Sequence, residues 1–243
     1  MWAQLYGISY KRIGFKSDFR IDVNDYLIPN GGVVIANPTA PTGSSLSLNE
    51  IETIVSGNEN SVVIIDEAYV DFGGESALSL INKYDNLLVV RTFSKSRSLA
   101  GLRVGYAIGS KALIKAMNGV KFSINSYTLN EPAISMGIAS VKDDEYFREN
   151  ISKIKETRER TVEGLEFAGF KVLPSDANFV FATHNRHKAK DIFEELKKKK
   201  IYVRHFGQEK IDSYLRISIG TDEEMNEFLR QTRNVTEELS MRF

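Results

Sequence analysis

Three short apolar segments, each followed closely by polar side chains, constrain this chain more than any other feature of its sequence. They are GGVVIANP (31–38), SVVIIDEAY (61–69) and NLLVVRTFSK (86–95). Runs this rich in Val, Ile and Leu are typical of strands that are covered on both faces of a parallel sheet. The segments deliver an amide at Asn37, a carboxylate at Asp66 and an amine at Lys95. Because ligands bind beyond the carboxyl ends of strands in open α/β sheets, we expect these groups to share one sheet edge.

The stretches between these strands predict an α/β fold. Ser47 opens LSLNEIETIV, and Glu50 follows three residues later, which is the capping-box pattern of a helix start. Residues 8–15 and the glycine-flanked stretch 101–109 have strand character, and residues 20–29 form either a helix or a loop. Strands that alternate with helices favour a mostly parallel sheet.

The sequence after residue 140 has a different pattern. Residues 143–168 are highly charged with apolar residues at roughly helical spacing, and Gly169 is a typical helix end. Further segments follow in βαββα-like order, with strands in FKVLPS, ANFVFATH, IYVRHF and YLRISIG and helices over 187–199 and 222–238. We therefore expect a large domain over residues 1–140, a connecting helix over 141–169 and a small C-terminal α/β domain over 170–243.

The overall composition narrows the classes of partner. Lys and Arg number 32 and Asp and Glu number 32, so the formal net charge is zero. Bulk charge therefore gives no attraction to nucleic acid or to an anionic membrane, and neither is expected as a partner. The apolar runs are too short to span a bilayer, and Met1 leads into WAQLYGISYKR without a signal peptide. The absence of cysteine excludes disulfides and thiol catalysis, and a cytoplasmic location is expected.

Asp66 is the first candidate for chemistry. A carboxylate at the end of an apolar strand is costly without a positive partner. That partner is the protonated pyridine nitrogen of a pyridoxal cofactor, or else a helix terminus or a metal ion. Glu67 and Asp71 lie nearby, but a Mg²⁺ site of the nucleotide-binding type needs an upstream GxxxxGK[ST], which this sequence lacks. The histidines are His184, His187 and His205. Carboxylates do not accompany them in a ligand pattern, so no metal site is predicted.

Lys95 and its neighbours form the second candidate. A lysine that follows a buried strand is either a Schiff-base amine or an ordinary surface lysine. Arg103, eight positions later, is able to hold a phosphate together with the hydroxyls of Ser94 and Ser96, or to form a salt bridge within the sheet. Tyr69 is close enough to Asp66 to donate a hydrogen bond to the same ligand, or it is a packed core tyrosine.

Arg204 and Arg216 are the third candidate. Each lies inside an apolar strand of the C-terminal part, in YVRHF and YLRISIG. Arginine is unusual in such strands unless it faces a cleft or a partner. An anionic group of a substrate accounts for both positions, although an exposed strand face also accounts for Arg204.

These segments together resemble a known family. NPTAPTG, IIDEAYVDF and TFSKSRSLAGLRVGYAIG, in this order, are similar to the fold-type I pyridoxal-phosphate aminotransferases, and most closely to their histidinol-phosphate subgroup. The resemblance extends to about residue 235. It implies a mostly parallel sheet with helices on both faces, a small C-terminal α/β domain and pyridoxal 5'-phosphate as cofactor.

The resemblance also implies roles for single residues. Lys95 matches the lysine that binds the cofactor covalently and then moves the proton, and Asp66 matches the partner of the pyridine nitrogen. The remaining cofactor positions are Asn37 and Tyr69 at the phenolic oxygen, and Ser94 and Arg103 at the phosphate. Arg216 and Arg204 match arginines that bind the anionic group of the substrate.

The implied activity is transamination of histidinol phosphate, a small phosphorylated amine resembling an amino acid, with glutamate or 2-oxoglutarate, in histidine biosynthesis. The family forms homodimers, so a homodimer is expected. Other readings stay open at this point: another aminotransferase, a phosphothreonine decarboxylase of the same family, or an inactive homologue.

The chain departs from the family at its start. Family members carry a segment before the point that matches Met1, with a Gly-Ser-Asp-Glu-like turn at the cofactor phosphate and an aromatic that stacks on the pyridine. We find neither in this sequence. The expectation is therefore an incomplete large domain, with exposed apolar surface and sheet edges. By itself such a chain is expected to bind pyridoxal phosphate weakly or not at all.

Overall fold

A four-stranded sheet occupies the first half of the chain. The structure is a computed structural model that describes residues 2–241. The strands, in spatial order, are β1 (Gly32–Ala36), β2 (Val62–Asp66), β3 (Leu87–Thr92) and β4 (Gly105–Gly109). Adjacent pairs among β1, β2 and β3 are parallel, whereas β4 pairs with β3 in the antiparallel direction. The predicted mostly parallel sheet is confirmed.

Helices accompany this first sheet, one face of which is open at β1, where burial alternates along the strand and Val34 is 69% exposed. The helices are α1 (Trp2–Leu5), α2 (Leu48–Ser56), α3 (Lys111–Ile124) and α4 (Glu131–Lys142). The capping box of α2 forms as predicted, with Ser47 and Glu50 each accepting a backbone N–H of the other. The apolar side of α2 packs on β1, β2 and β3 through Ile51, Ile54 and Val55. Short 3-10 helices cover Val23–Tyr26, Val70–Phe72, Ala77–Leu80 and Ala100–Leu102.

A second sheet and three helices form the C-terminal part. The elements are α5 (Asp144–Phe167), β5 (Phe170–Leu173), β6 (Phe179–His184), α6 (Ala189–Lys198), β7 (Arg204–His205), β8 (Leu215–Ser218) and α7 (Asp222–Ser240). The spatial order is β5-β6-β8-β7, and every pair is antiparallel. The three helices bury one face of this sheet, with Leu165, Ile192 and Val235 fully buried. The opposite face carries Phe179 and Phe181, which contact Tyr69 and Phe19 of the first half.

Several sequence expectations differ from the structure. Residues 8–15 do not form a strand, because neither described sheet pairs with them. The strand expected over 101–109 is limited to β4, since a 3-10 turn occupies Ala100–Leu102. The IYVRHF strand is reduced to β7. Helices α3 and α4 were not predicted. The domain boundaries at residues 140 and 169 stay a prediction.

The two halves are joined by close backbone contacts. Arg158 of α5 donates from Nη1 to the carbonyl of Phe72 (3.2 Å) and to that of Ala177 (2.7 Å). Burial lowers the pKa of Arg158. The Asp176 amide donates to the Gly43 carbonyl at 2.8 Å. Gly43 has a φ of +83°, and a Cβ built on it lies only 2.2 Å from Ser175 Oγ, so the approach of the two halves requires glycine there.

Among residues 2–241, no helix is both long enough and apolar enough to cross a bilayer.

Candidate active site

The carboxyl ends of β1, β2 and β3 are in register. Ala36 lies opposite Asp66, and Asp66 lies opposite Val90. The Asn37 amide donates to the Asp66 carbonyl at 2.8 Å, which continues the pairing past the end of β1. The predicted edge therefore exists, and the segment that bears Lys95 leaves β3 at the same edge.

Lys95 is exposed and lies over the ring of Tyr69. Its Nζ is 5.3 Å from the centroid of that ring. The Tyr69 ring in turn makes an edge-to-face contact with Phe179 of β6, with 5.2 Å between centroids. The two chemistry-bearing segments and the second sheet thus meet around an accessible amine.

Asp66 and Asn37 have different surroundings. Asp66 is half-buried, and its Oδ1 accepts the Ala68 amide at 3.1 Å. Asn37 is fully buried, and its side chain is hydrogen-bonded to both backbone groups of Leu46. Asn37 Oδ1 accepts the Leu46 amide at 2.7 Å, and Nδ2 donates to the Leu46 carbonyl at 3.4 Å. This contact uses one N–H of the Asn37 side-chain amide, and the side chain is closed to solvent, so the predicted contact of Asn37 with the cofactor stays a prediction.

A buried ion pair lies beside Asp66, and the sequence reasoning missed it. Glu67 is 2% exposed, and its Oε2 accepts from Nε (3.0 Å) and Nη2 (2.8 Å) of Arg91. Burial opposes the charge of Arg91, but the hydrogen bond and charge of Glu67 outweigh it, so the pKa of Arg91 is raised. Asp71 lies 3.8 Å from Arg91 Nη1. Glu67 and Asp71, considered from sequence as metal ligands, are thus partners of an arginine. No cluster of metal-ligating side chains occurs in the described part of the chain.

Two hydroxyl groups meet just after β3, and Arg103 lies on the neighbouring turn. Thr92 Oγ1 donates to Ser94 Oγ at 2.8 Å, and it also lies 3.3 Å from the Val104 carbonyl. Arg103, next to Val104, is exposed and has a φ of +57°, a left-handed conformation that is uncommon outside glycine and found at functional sites. Its Nη1 donates to the Ala100 carbonyl at 2.9 Å. Thr92 is a neighbour of this group that the sequence reasoning did not single out.

Ser96 does not belong to that group, although it was expected to. It is 6% exposed, and its hydroxyl donates to the Asp71 carboxylate.

Arg204 and Arg216 lie directly opposite each other on β7 and β8. Like charges in this arrangement repel unless an anion lies between them. Arg216 stacks over Phe179 (5.1 Å) and Phe206 (5.9 Å), and its buried Nε has no hydrogen-bond partner in the described structure. Arg204 is exposed and lies over Phe206 at 5.5 Å. A buried N–H without an acceptor is costly, and an anionic ligand would satisfy it; that role of Arg216 stays a prediction.

The aromatic side chain of Phe179 connects the two candidate groups. One edge of it meets Tyr69, which lies under Lys95, and its face lies under the Arg216 guanidinium. Phe179 is 2% exposed, so this position is fixed by packing. The Lys95 amine and the Arg216 guanidinium are therefore linked through two aromatic rings in contact, Tyr69 and Phe179.

The chemistry of these donors fits pyridoxal phosphate. Lys95 supplies an accessible primary amine for its aldehyde, and Asp66 supplies a carboxylate for its pyridine nitrogen. Tyr69 and Asn37 are predicted to hold the phenolic oxygen, and the Ser94 hydroxyl and Arg103 would hold the phosphate. Arg216 would then bind the anionic group of the substrate.

The sequence matches the profile of the class I and II aminotransferases over residues 2–231. A curated relative from Clostridium botulinum (strain Okra / Type B1), named histidinol-phosphate aminotransferase, is 48% identical over 239 residues. That match covers 98% of this chain and 68% of the relative.

Solved structures agree with the sequence match. The histidinol-phosphate aminotransferase from Clostridium acetobutylicum superposes with a TM-score of 0.88 at 27% identity, covering 97% of this chain and 74% of that one. The enzyme of the same name from Sinorhizobium meliloti, solved with pyridoxal-5'-phosphate, gives 0.87 at 26% identity, covering 98% and 67%. The chain belongs to the class I and II aminotransferases and, within them, to the histidinol-phosphate aminotransferases.

Proposed function

We propose that this protein transfers the amino group between histidinol phosphate and 2-oxoglutarate, with pyridoxal phosphate as cofactor. The observation that carries the proposal is the series of contacts from Lys95 through Tyr69 and Phe179 to Arg216, which links an accessible amine to a buried guanidinium N–H without an acceptor. The names of the relatives support the substrate. A phosphate monoester is a dianion near neutral pH, which suits the two facing arginines of β7 and β8.

The residues of the chain divide the work by position. Pyridoxal phosphate, when bound, supplies an electron-poor ring that accepts the electron pair left when the bond from the substrate carbon to its hydrogen breaks. The Lys95 amine would hold the cofactor covalently, and would then move the proton from the substrate carbon to the aldehyde-derived carbon of the cofactor. The Asp66 carboxylate would keep a proton on the ring nitrogen. The ring of Tyr69 limits the directions open to the Lys95 amine.

A panel of amino donors tests the substrate. Histidinol phosphate, phenylalanine and phosphothreonine are offered with 2-oxoglutarate, and glutamate formation is measured. We expect histidinol phosphate to give the highest kcat/KM. Carbon dioxide release from phosphothreonine would instead indicate a decarboxylase. Pyridoxal phosphate binding without turnover of any donor would indicate an inactive homologue.

Replacing Arg216 with methionine should raise KM for histidinol phosphate far more than it lowers kcat. Methionine keeps the apolar contact with Phe179 but removes the donors for the anion. A hydrogen bond to a charged group contributes about 1.5–3 kcal/mol, so a rise in KM of roughly 10- to 100-fold is expected. Steady-state kinetics measure both constants.

Arg204→Met serves as the graded comparison, because Arg204 is more exposed and should matter less. Arg148→Met, an exposed change on α5, is the control and should leave KM unchanged. Equal KM values for the Arg216 variant and this control would remove Arg216 from substrate binding.

We propose further that the protein forms a homodimer through α3, α4 and their connection. No residue of α3 is buried, and Val120, Phe122 and Ile124 are each about 60% exposed. The connecting segment exposes Tyr127 at 91%, and α4 exposes further apolar side chains, namely Ile134, Met136, Ile138 and Val141. Contiguous apolar surface of this kind marks interfaces.

Replacing Phe122 with aspartate should convert the dimer to a monomer. A charge placed in an apolar interface loses its hydration without gaining a partner. Light scattering coupled to size-exclusion chromatography measures the mass of the wild type and the variant. Lys115→Asp changes the charge on the same exposed helix without removing an apolar contact and is the control. A monomeric wild type at micromolar concentration would contradict the dimer.

A further inference from the structure

A continuous series of polar contacts connects the residue after Asp66 with the residue after Lys95. Glu67 accepts two hydrogen bonds from Arg91, and Arg91 faces Asp71 at 3.8 Å. Asp71 accepts the hydroxyl hydrogen of Ser96. Each link joins a different segment, so the series connects β2, β3, the 3-10 helix at Val70–Phe72 and the Lys95 loop.

The inner end of this series is firmly held. The Glu67 carboxylate also accepts the Ala77 amide at 2.6 Å and the Ser76 hydroxyl at 2.8 Å. Arg91 Nη2 donates to that same hydroxyl at 2.8 Å. A carboxylate and a guanidinium with this many fixed partners resist displacement, because moving either one leaves buried polar groups unpaired.

The outer end is a single hydroxyl contact next to an exposed lysine. Ser96 is buried, while Lys95 beside it is exposed. The Lys95 carbonyl accepts the Ser98 amide at 3.0 Å, so the loop turns sharply here. Ser96 is therefore the point at which this exposed loop is tied to the buried ion pair.

We infer that Ser96, held by Asp71 and Arg91, is a positioning residue that fixes the Lys95 amine over the strand edge. The inference rests on the proposed function, since Lys95 is the amine that meets the cofactor. The catalytic group is Lys95, and Ser96 acts only through the loop that carries it. This differs from a phosphate contact by Ser96, because its hydroxyl already donates to a carboxylate.

Trapping with borohydride tests the inference. The purified protein is incubated with pyridoxal phosphate, reduced, digested and mapped by mass spectrometry, which gives the rate and the share of label at Lys95. Ser96→Ala should slow labelling at Lys95 roughly tenfold, the effect of losing one charge-assisted hydrogen bond. Its other lysines should be labelled at the wild-type rate, which a general loss of structure would not produce.

Three further variants keep the test decisive. Ser96→Thr retains the hydroxyl and should restore labelling at Lys95, whereas Ser98→Ala, in the exposed part of the same loop, should match the wild type. If Ser96→Ala folds poorly, Asp71→Asn removes the charge that faces Arg91 and should slow labelling by a smaller factor.

The outcomes separate the two proposals. Wild-type labelling rates in folded Ser96→Ala overturn the positioning role and leave the proposed function intact. A wild type in which Lys95 is labelled no faster than the other lysines overturns the proposed function, and the positioning role with it.

Discussion

Replacing Lys95 with arginine should abolish transamination while leaving the fold intact. Arginine keeps the positive charge over Tyr69 but offers no amine that can bond to an aldehyde or take a proton near neutral pH. Loss of a proton-transfer group alone lowers rates by about 10²–10⁴-fold, and here the covalent attachment is lost as well. Glutamate formation from histidinol phosphate and 2-oxoglutarate measures the loss.

Two further measurements and a control variant separate loss of chemistry from loss of structure. The thermal midpoint should match the wild type, because the Lys95 side chain is exposed. The cofactor absorbance band that depends on an amine should disappear. Lys111→Arg, an exposed change at the start of α3, should leave both the band and the rate unchanged. Substantial turnover by the Lys95 variant would remove this residue from the chemistry.

Replacing Arg91 with methionine should cause the largest loss of stability of any single substitution proposed. Methionine has a similar length but no charge, so the Glu67 carboxylate remains buried without its cation. Breaking a buried pair by removing one partner costs about 3–5 kcal/mol. Urea unfolding, followed by circular dichroism, measures the change in the free energy of unfolding.

The double variant Arg91→Met with Glu67→Leu isolates the cause. Removing both charges relieves the unpaired carboxylate, so the double variant should be more stable than Arg91→Met alone. Arg230→Met breaks an exposed pair with Glu227 on α7 and should change stability little. A stability of Arg91→Met equal to that of this control would show that the pair does not hold the two segments together.

The sequence predicted the parts of the site that short segments encode. Asn37, Asp66 and Lys95 each follow an apolar run, and the register of parallel strands brings such positions to one edge without further information. The capping box of α2 is equally local. Motif and strand pattern therefore sufficed for the edge and for the class of cofactor.

The partner of each charge was harder to predict. Burial alternates along β2, so Glu67 lies in phase with the buried Val63 and Ile65, while Asp66 does not. The buried set of alternate residues in β2 is the set that α2 covers. The sequence pattern of the strand alone does not show which set that is. Arg91 interrupts an apolar run just as Arg204 and Arg216 do. The interruption was used to predict a role for Arg204 and Arg216 but not for Arg91. The partner of Arg91 is Glu67, 24 residues away in the sequence, and no short sequence pattern indicates a contact over that separation.

The missed helices have a similar explanation. No residue of α3 is buried and most apolar side chains of α4 are exposed, so their apolar sides do not face the core of the chain as those of an ordinary amphipathic helix do. Phe179 was missed because a phenylalanine in an apolar strand is ordinary, and its contacts with Tyr69 and Arg216 exist only when the two sheets meet.

Most of the buried apolar residues of this chain form two separate clusters, and this separation determines how substitutions in the two parts combine. One cluster supports the strands that carry Asn37, Asp66 and Lys95, and the other supports the strands that carry Arg204 and Arg216. Distant, independent sites contribute additively to stability. We therefore expect substitutions in the core beneath β7 and β8 to change the free energy of unfolding independently of substitutions in the core beneath Asn37, Asp66 and Lys95.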